Sequence, residues 1–192
     1  RWEYRFKAPA APAYGAWTDI ANTTTTHTSG PLNEGTYQFR AVVQSGECLV
    51  ENSTAATITV NPTSVGGTLT GGNDVCNGGN PTAISLVGGS WTGNILRWEV
   101  NVDGGGWNTV SVGANSSYDP PATTTPGDHV YRVSVQSGVC PESYSTTQTV
   151  NVNNALSVDA SATENSGTHN DLIICLGESV FLLATIIDPG TG

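Results

Sequence analysis

Residues 37–48, Tyr-Gln-Phe-Arg-Ala-Val-Val-Gln-Ser-Gly-Glu-Cys, return little altered as residues 129–140, His-Val-Tyr-Arg-Val-Ser-Val-Gln-Ser-Gly-Val-Cys. Position 131 answers 39 and 140 answers 48, a constant shift of 92. That period is too long for a solenoid or propeller repeat and fits a tandem β-sandwich domain. Arg1-Trp2-Glu3 answers Arg97-Trp98-Glu99, Trp17-Thr18 answers Trp107-Asn108, and residues 57–61 answer residues 149–153. The shift is 96 at the first of these landmarks, 90 at the second and 92 at the third, and its largest change falls in the turn where Phe6–Gly15 stands in place of Val102–Gly106. Insertions confined to a turn are what a true domain repeat tolerates.

A third copy begins later in the chain. Cys175-Leu176-Gly177-Glu178 resembles Cys76-Asn77-Gly78-Gly79, and an apolar run follows each. The expected organisation is a partial domain over 1–61 (strands C to G), a complete domain over 62–153, and the N-terminal part of a third over 154–192. The chain reads as a window cut from a longer array.

Within the complete copy, alternation and turn residues predict strand A over 64–70, B over 82–87 and C over 95–102. Strand C places Leu96, Trp98 and Val100 on one face and Arg97 and Glu99 on the other. Strand F turns Tyr131, Val133 and Val135 inward and Arg132 outward, and Val150 and Val152 follow from the last strand. Asp103–Gly106 and Gln136–Gly138 supply hairpin turns, where glycine takes positive φ at little cost. No segment keeps a helical period, so the fold class is all-β: tandem immunoglobulin-like β-sandwiches. The core candidates are Trp98 packed on Tyr131, answered by Trp2 and Phe39 in the first copy. Outward Glu99–Arg132 and Glu3–Arg40 are expected to pair as exposed ions, worth about 0.2–1 kcal/mol each.

Composition narrows the function. Charged residues are 11% of the chain, the net charge is −10, and the six basic residues are scattered. A nucleic-acid surface needs clustered Lys and Arg, so that class is excluded. The most apolar stretch, 172–187, is interrupted and too short for a bilayer span, which argues against membrane insertion in this segment. The chain contains no Met and shows no signal peptide, so its first residue is not expected to be a natural start. Four Cys in an acidic Thr/Asn/Gly-rich chain suit an oxidising, extracellular setting.

The patterns Arg-Trp-Glu, Trp-Thr-Asp-Ile-Ala-Asn-Thr-Thr-Thr-Thr (17–26), Phe-Arg-Ala-Val-Val-Gln-Ser-Gly-Glu-Cys (39–48) and Cys-Leu-Gly-Glu-Ser-Val (175–180) resemble the tandem Ig-like and PKD-like repeats of very large Bacteroidetes cell-surface proteins. The resemblance covers nearly the whole chain. It implies an exported array of the gliding-adhesin type, sent out by type IX secretion, with signal and ligand-binding tip elsewhere. The second copy departs from the pattern at Trp107-Asn108-Thr109-Val110, where the Thr-rich run is lost.

Chemistry-bearing residues are sparse. His27, His129 and His169 occupy non-equivalent positions and are expected to be solvated surface residues, since a catalytic His needs a nucleophile and an orienting carboxylate. No cofactor is expected; Ca²⁺ is the one ion left open, through Asp103, Asp119 and Asp128 or Asp159, Glu164 and Asp171. The favoured role for these residues is turn formation. Trp17 and Trp107 could stack on sugars, with core packing preferred for both. Each domain owns one Cys before strand B and one after strand F, which nominates a Cys76–Cys140 disulfide. A sandwich places those points at opposite ends, and Cys48–Cys76 with Cys140–Cys175 is the alternative. The expected function is a non-enzymatic spacer of a cell adhesion protein, whose partners are neighbouring repeats and surface polysaccharide or another cell-surface ligand. A polysaccharide-binding module and an accessory domain of a secreted hydrolase are the rivals.

Overall fold

The computed structural model describes residues 1–164, 173–174 and 176–187, and among them every regular element is a β-strand. In the first repeat these are β1 (Trp2–Lys7), β2 (Thr18–Ile20), β3 (Gly35–Val43), β4 (Glu51–Asn52) and β5 (Ala56–Val60). They form one five-stranded sheet in the order β2-β1-β3, with β4 and β5 both pairing with β3.

The second repeat contributes β6 (Leu69–Gly71), β7 (Val75–Cys76), β8 (Ile84–Leu86), β9 (Asn94–Val102), β10 (Trp107–Val112), β11 (Ser117–Tyr118), β12 (Gly127–Gln136), β13 (Ser143–Tyr144) and β14 (Gln148–Asn153). One sheet runs β10-β9-β12-β14-β7, with β13 also on β12, and a second runs β11-β8-β6. Thus β1, β2, β3, β4 and β5 answer β9, β10, β12, β13 and β14. The last pair of strands, β15 (Ser157–Glu164) and β16 (Val180–Ile187), lies antiparallel. No helix in the described residues is long and apolar enough to cross a membrane.

The core of the second repeat draws from both of its sheets. Leu69, Ile84 and Leu86 come from the smaller one, and Ile95, Trp98, Tyr131, Val133, Val135, Val150 and Val152 from the larger. Such two-sheet burial is the arrangement of a β-sandwich. Gly71 and Gly72, at φ of 92° and 70°, let the chain leave β6 in one sheet and reach β7 in the other. A Cβ at Gly71 would overlap the Ala83 carbonyl oxygen, so only glycine fits there. On strand β12 the alternation holds as expected, with Tyr131, Val133 and Val135 buried.

Strand β9 departs from the expectation. The ladder between β9 and β12 shifts after the Ser134–Arg97 pair, so Val135 faces Ile95 and Leu96 has no Cα partner. Ile95, at 7% exposure, enters the core and Leu96 does not. A bulge adds one residue to one strand and flips the face beyond it. The aromatic pairing also differs. Tyr118 stands between Trp98 and Tyr131, with ring centroids 5.8 and 5.9 Å from its own. The Trp98 indole NH donates to the Asn115 carbonyl at 2.9 Å, satisfying the polar edge of a side chain that is 1% exposed. Burial, with Tyr118 as a smaller contributor, pushes the Tyr131 hydroxyl up to about 12.

Trp2 and Phe39 are half-buried, not core. No described strand covers the inner face of the first sheet as β6, β8 and β11 cover the second. In their place the loop carrying His27 folds over, its ring 6.5 Å from both Trp2 and Phe39. The Trp2 indole NH still finds a loop carbonyl, that of Thr24 at 3.1 Å. The Thr-rich run therefore caps the first indole as residue 115 caps the second.

Candidate functional site

The outer face of the second repeat's larger sheet carries a dense polar network. Register sets it up, because Arg132 on β12 lies opposite Glu99 on β9, and Ser134 opposite Arg97. The Glu99 carboxylate accepts from Arg97 Nε and from Arg132 Nε, both at 2.7 Å. Arg97 also forks onto Glu142 at 2.8 and 3.2 Å, and the Ser134 hydroxyl donates to Glu142 at 2.7 Å. The Arg132 guanidinium is sandwiched between Trp107 from β10 and Tyr144 from β13, 3.8 Å from each ring centroid.

The same device recurs in the first repeat. Glu3 accepts from Arg1 at 3.0 Å and pairs with Arg40 at 2.7 Å. Arg40 lies 4.0 Å over Trp17, which also receives Arg5 at 4.7 Å. The surroundings differ: Arg1 reaches Asp19 at 3.0 Å, and Tyr14 stacks on Arg5.

These pairs are not the exposed ions the alternation implied. Glu3 and Glu99 are each only 6% exposed, roofed by guanidinium and indole. Charge-assisted bonds of such burial are worth more than surface pairs. Burial alone would raise the Glu99 carboxyl, but hydrogen bonds from Arg132 and then Arg97 outweigh it and hold it below its ordinary value. The Glu142 carboxyl is lowered by Arg97 first and Ser134 second, and the Arg97 guanidinium is raised by Glu142 and then Glu99. A carboxylate whose oxygens both accept from arginine and which stays ionised does not serve as a proton donor at neutral pH. The network stitches strands.

Trp17 and Trp107 are thus neither core residues nor free platforms. They are half-buried on the outer face, each with a guanidinium on its ring. Sequence reasoning missed Tyr144 and Glu142, which close the second network, and also Ser53 and Ser145. Each of these serines bonds both to and from β3 or β12 where the last strand is broken: Ser53 with Ala41, Ser145 with Val133, all four bonds at 2.9 Å. Their identical place in the repeat was the available signal.

The remaining candidates separate. Cys48, Cys76 and Cys140 are free thiols, so the expected Cys76–Cys140 disulfide is not formed. Cys76 pairs with Asn153, whose neighbour Val152 lies opposite Gly127, whereas Cys140 follows Gln136 at the other end of β12. Ten residues of strand hold them roughly 30 Å apart, far beyond the 7 Å limit for Cα atoms of a disulfide. Cys48 and Cys76 lie at remote ends of successive repeats, and Cys175 lies outside the described residues. His129 is buried at 7% exposure with Nε2 2.9 Å from the Thr125 carbonyl, and His27 is half-buried, so neither is the solvated residue expected. His169 and Asp171 lie outside the described residues.

The Asp103 and Asp128 carboxylates tie separate segments of the second repeat together. Asp103 Oδ1 accepts from the Asp128 amide at 2.8 Å, and Asp128 Oδ1 accepts from Asn151 Nδ2 at 2.7 Å. Among the described residues no three His, Cys, Asp or Glu side chains group as metal ligands would. One cavity of about 160 Å³, lined by Trp2, His27, Ser29, Phe39, Ala56 and Ile58, lies on the inner face of the first sheet. The matching positions Trp98, Tyr131 and Val150 are core in the second repeat, so its apolar lining is core chemistry.

No curated protein matches the chain. A protein-family model described as "Domain of unknown function (DUF8696)" matches residues 12–62 and 65–154, so the chain belongs to that family.

Proposed function

We propose that this chain is a run of tandem immunoglobulin-like repeats serving as a structural spacer in a large extracellular adhesin. The observation that carries this reading is the end-to-end succession of the repeats. Strand β5 finishes opposite Gly35, at one end of the first sheet. Four residues later Ser64 bonds to Ser137, just past the opposite end of the second sheet's β12. Such a connection advances the chain by one domain length per repeat, which suits projection away from a surface. The outer-face networks of Glu3 and Glu99 are built of bonds within their own repeats, and proline in the junction limits its flexibility. The resemblance to Bacteroidetes surface repeats supports export by type IX secretion to the cell surface, with neighbouring repeats as the principal partners.

Glycan-array binding by the full chain tests the reading against its rival, a polysaccharide-binding module. The spacer reading predicts no saturable binding to any glycan. Saturable binding that Trp107→Ala abolishes with the fold intact would overturn it.

A further inference from the structure

The repeated Gln-Ser-Gly-x-Cys turn holds more than a hairpin requires. Its two copies share one geometry. Gln44 Nε2 donates to the Cys48 carbonyl at 3.0 Å, and Gln136 Nε2 to the Cys140 carbonyl at 2.8 Å. The Cys48 amide donates to the Ser45 carbonyl at 3.0 Å, and the Cys140 amide to the Ser137 carbonyl at 2.9 Å. Gly46 and Gly138 sit at φ of 55° and 54°. The glutamine side chain therefore closes the turn, and glycine supplies its left-handed residue.

What lies against the two turns differs. At the second, the chain entering the repeat is seated on it. The Ser137 amide donates to Ser64 Oγ at 2.9 Å, with both serines buried. The Cys140 thiol donates to the Pro62 carbonyl at 3.3 Å and approaches that of Asn61 at 3.9 Å. A Cβ at Gly138 would overlap the Asn61 side chain. Val65 then exchanges backbone bonds with Thr92 at 3.1 and 3.0 Å. At the first turn nothing lies within 4 Å of a Cβ built on Gly46, and Cys48 is exposed.

We propose that the Gln-Ser-Gly-x-Cys turn is a docking socket for the segment that enters its own repeat. Asn61–Ser64 fills the socket at Gln136–Cys140. The socket at Gln44–Cys48 takes a second segment of the same chemistry, a side-chain amide, a proline and a hydroxyl in succession. Every motif residue then contributes, because serine presents its amide, glycine clears room for asparagine, and the thiol reaches the segment's carbonyls. The cysteine is a junction contact and not half of a disulfide. This inference rests on the reading of the chain as an array, since it supplies the fixed angle between consecutive repeats.

Site-resolved iodoacetamide labelling of the full chain, followed by peptide mapping, tests it. Thiol reactivity follows access, and a seated segment must open locally first, so Cys140 should label about tenfold more slowly than Cys48. In Pro62→Gly/Ser64→Ala, and more mildly in Ser64→Ala alone, Cys140 should rise toward the Cys48 rate while Cys48 and exposed Cys76 stay unchanged. A millimolar synthetic peptide with the sequence of residues 60–66 should slow Cys48 and leave Cys76 alone. Equal rates at Cys48 and Cys140 in the unaltered chain would overturn the socket, as would slow Cys140 labelling that persists in both variants. No protection of Cys48 by the peptide would overturn the assignment of the first turn. Saturable glycan binding on the same sample would instead remove the spacer reading and leave the thiol result standing.

Discussion

The two repeats carry nearly the same larger sheet under different circumstances. In the second, the inner face is closed by β6, β8 and β11, and Trp98 is 1% exposed. In the first, the equivalent Trp2 is half-buried beside a cavity, with His27 leaning on it. Yet the outer faces match: a buried glutamate held by two arginines, one of them stacked on an indole. The outer network is therefore a property of the strands that carry it and asks nothing of the second sheet. The inner face is the reverse, since its aromatics become core only when another layer arrives.

Truncating the matched tryptophans should separate the two repeats most strongly. Trp98→Ala should destabilise the second repeat by about 3–5 kcal/mol, a large share of a domain's stability. Trp2→Ala should cost about 1–2 kcal/mol, because only part of its surface leaves water. Chemical denaturation followed by far-UV circular dichroism reads both. Equal losses would mean that the first sheet's inner face is covered in solution.

The outer face should behave in the opposite way. Glu99→Gln leaves two arginines without their buried counter-ion, and a loss of about 2–4 kcal/mol is expected. Glu3→Gln should match it within about 1 kcal/mol, since the two glutamates are equally buried. A large difference between them in thermal unfolding would show that the second sheet contributes to the outer network after all.

Acid gives a finer test. The Glu99 and Glu142 carboxyls lie below their ordinary value of 4.5 in the folded chain. The unfolded chain therefore takes up these protons first as pH falls. Their contribution is complete above that ordinary value and is lost as pH drops through the depressed folded values. The melting temperature of the second repeat should fall below pH 4.5, and Glu99→Gln should flatten that dependence. The smallest effect belongs to the stacked indoles. Trp107→Ala should cost about 0.5–2 kcal/mol, the range for a guanidinium over an aromatic face.

The period and the strand faces of β12 were legible in the sequence because they depend on local alternation and on repetition. The bulge in β9 was not, since Ile95 and Leu96 are both apolar and either fits the pattern. The burial of Glu3 and Glu99 was hidden for another reason. It depends on Trp17, Trp107 and Tyr144 arriving from neighbouring strands, which no one-strand pattern records. Tyr118 escaped notice similarly, entering the core from a two-residue strand. The cysteines invited pairing by their number although a sandwich already sets the two points at opposite ends, and the register of β7 on β14 places Cys76 a full strand length from Cys140.

Repeats that follow one another end to end through a seated junction must hold their outer ends at a fixed separation. Cys48 and Cys76 stand at the outer ends of the first two repeats, so spin labels on this pair measure the junction, in a Cys140→Ser/Cys175→Ser background whose serine hydroxyl keeps a donor toward the Pro62 carbonyl. Double electron–electron resonance should give one narrow distance distribution, on the order of 60 Å for two strand lengths in succession. A broad distribution reaching well below that distance would be incompatible with a seated junction.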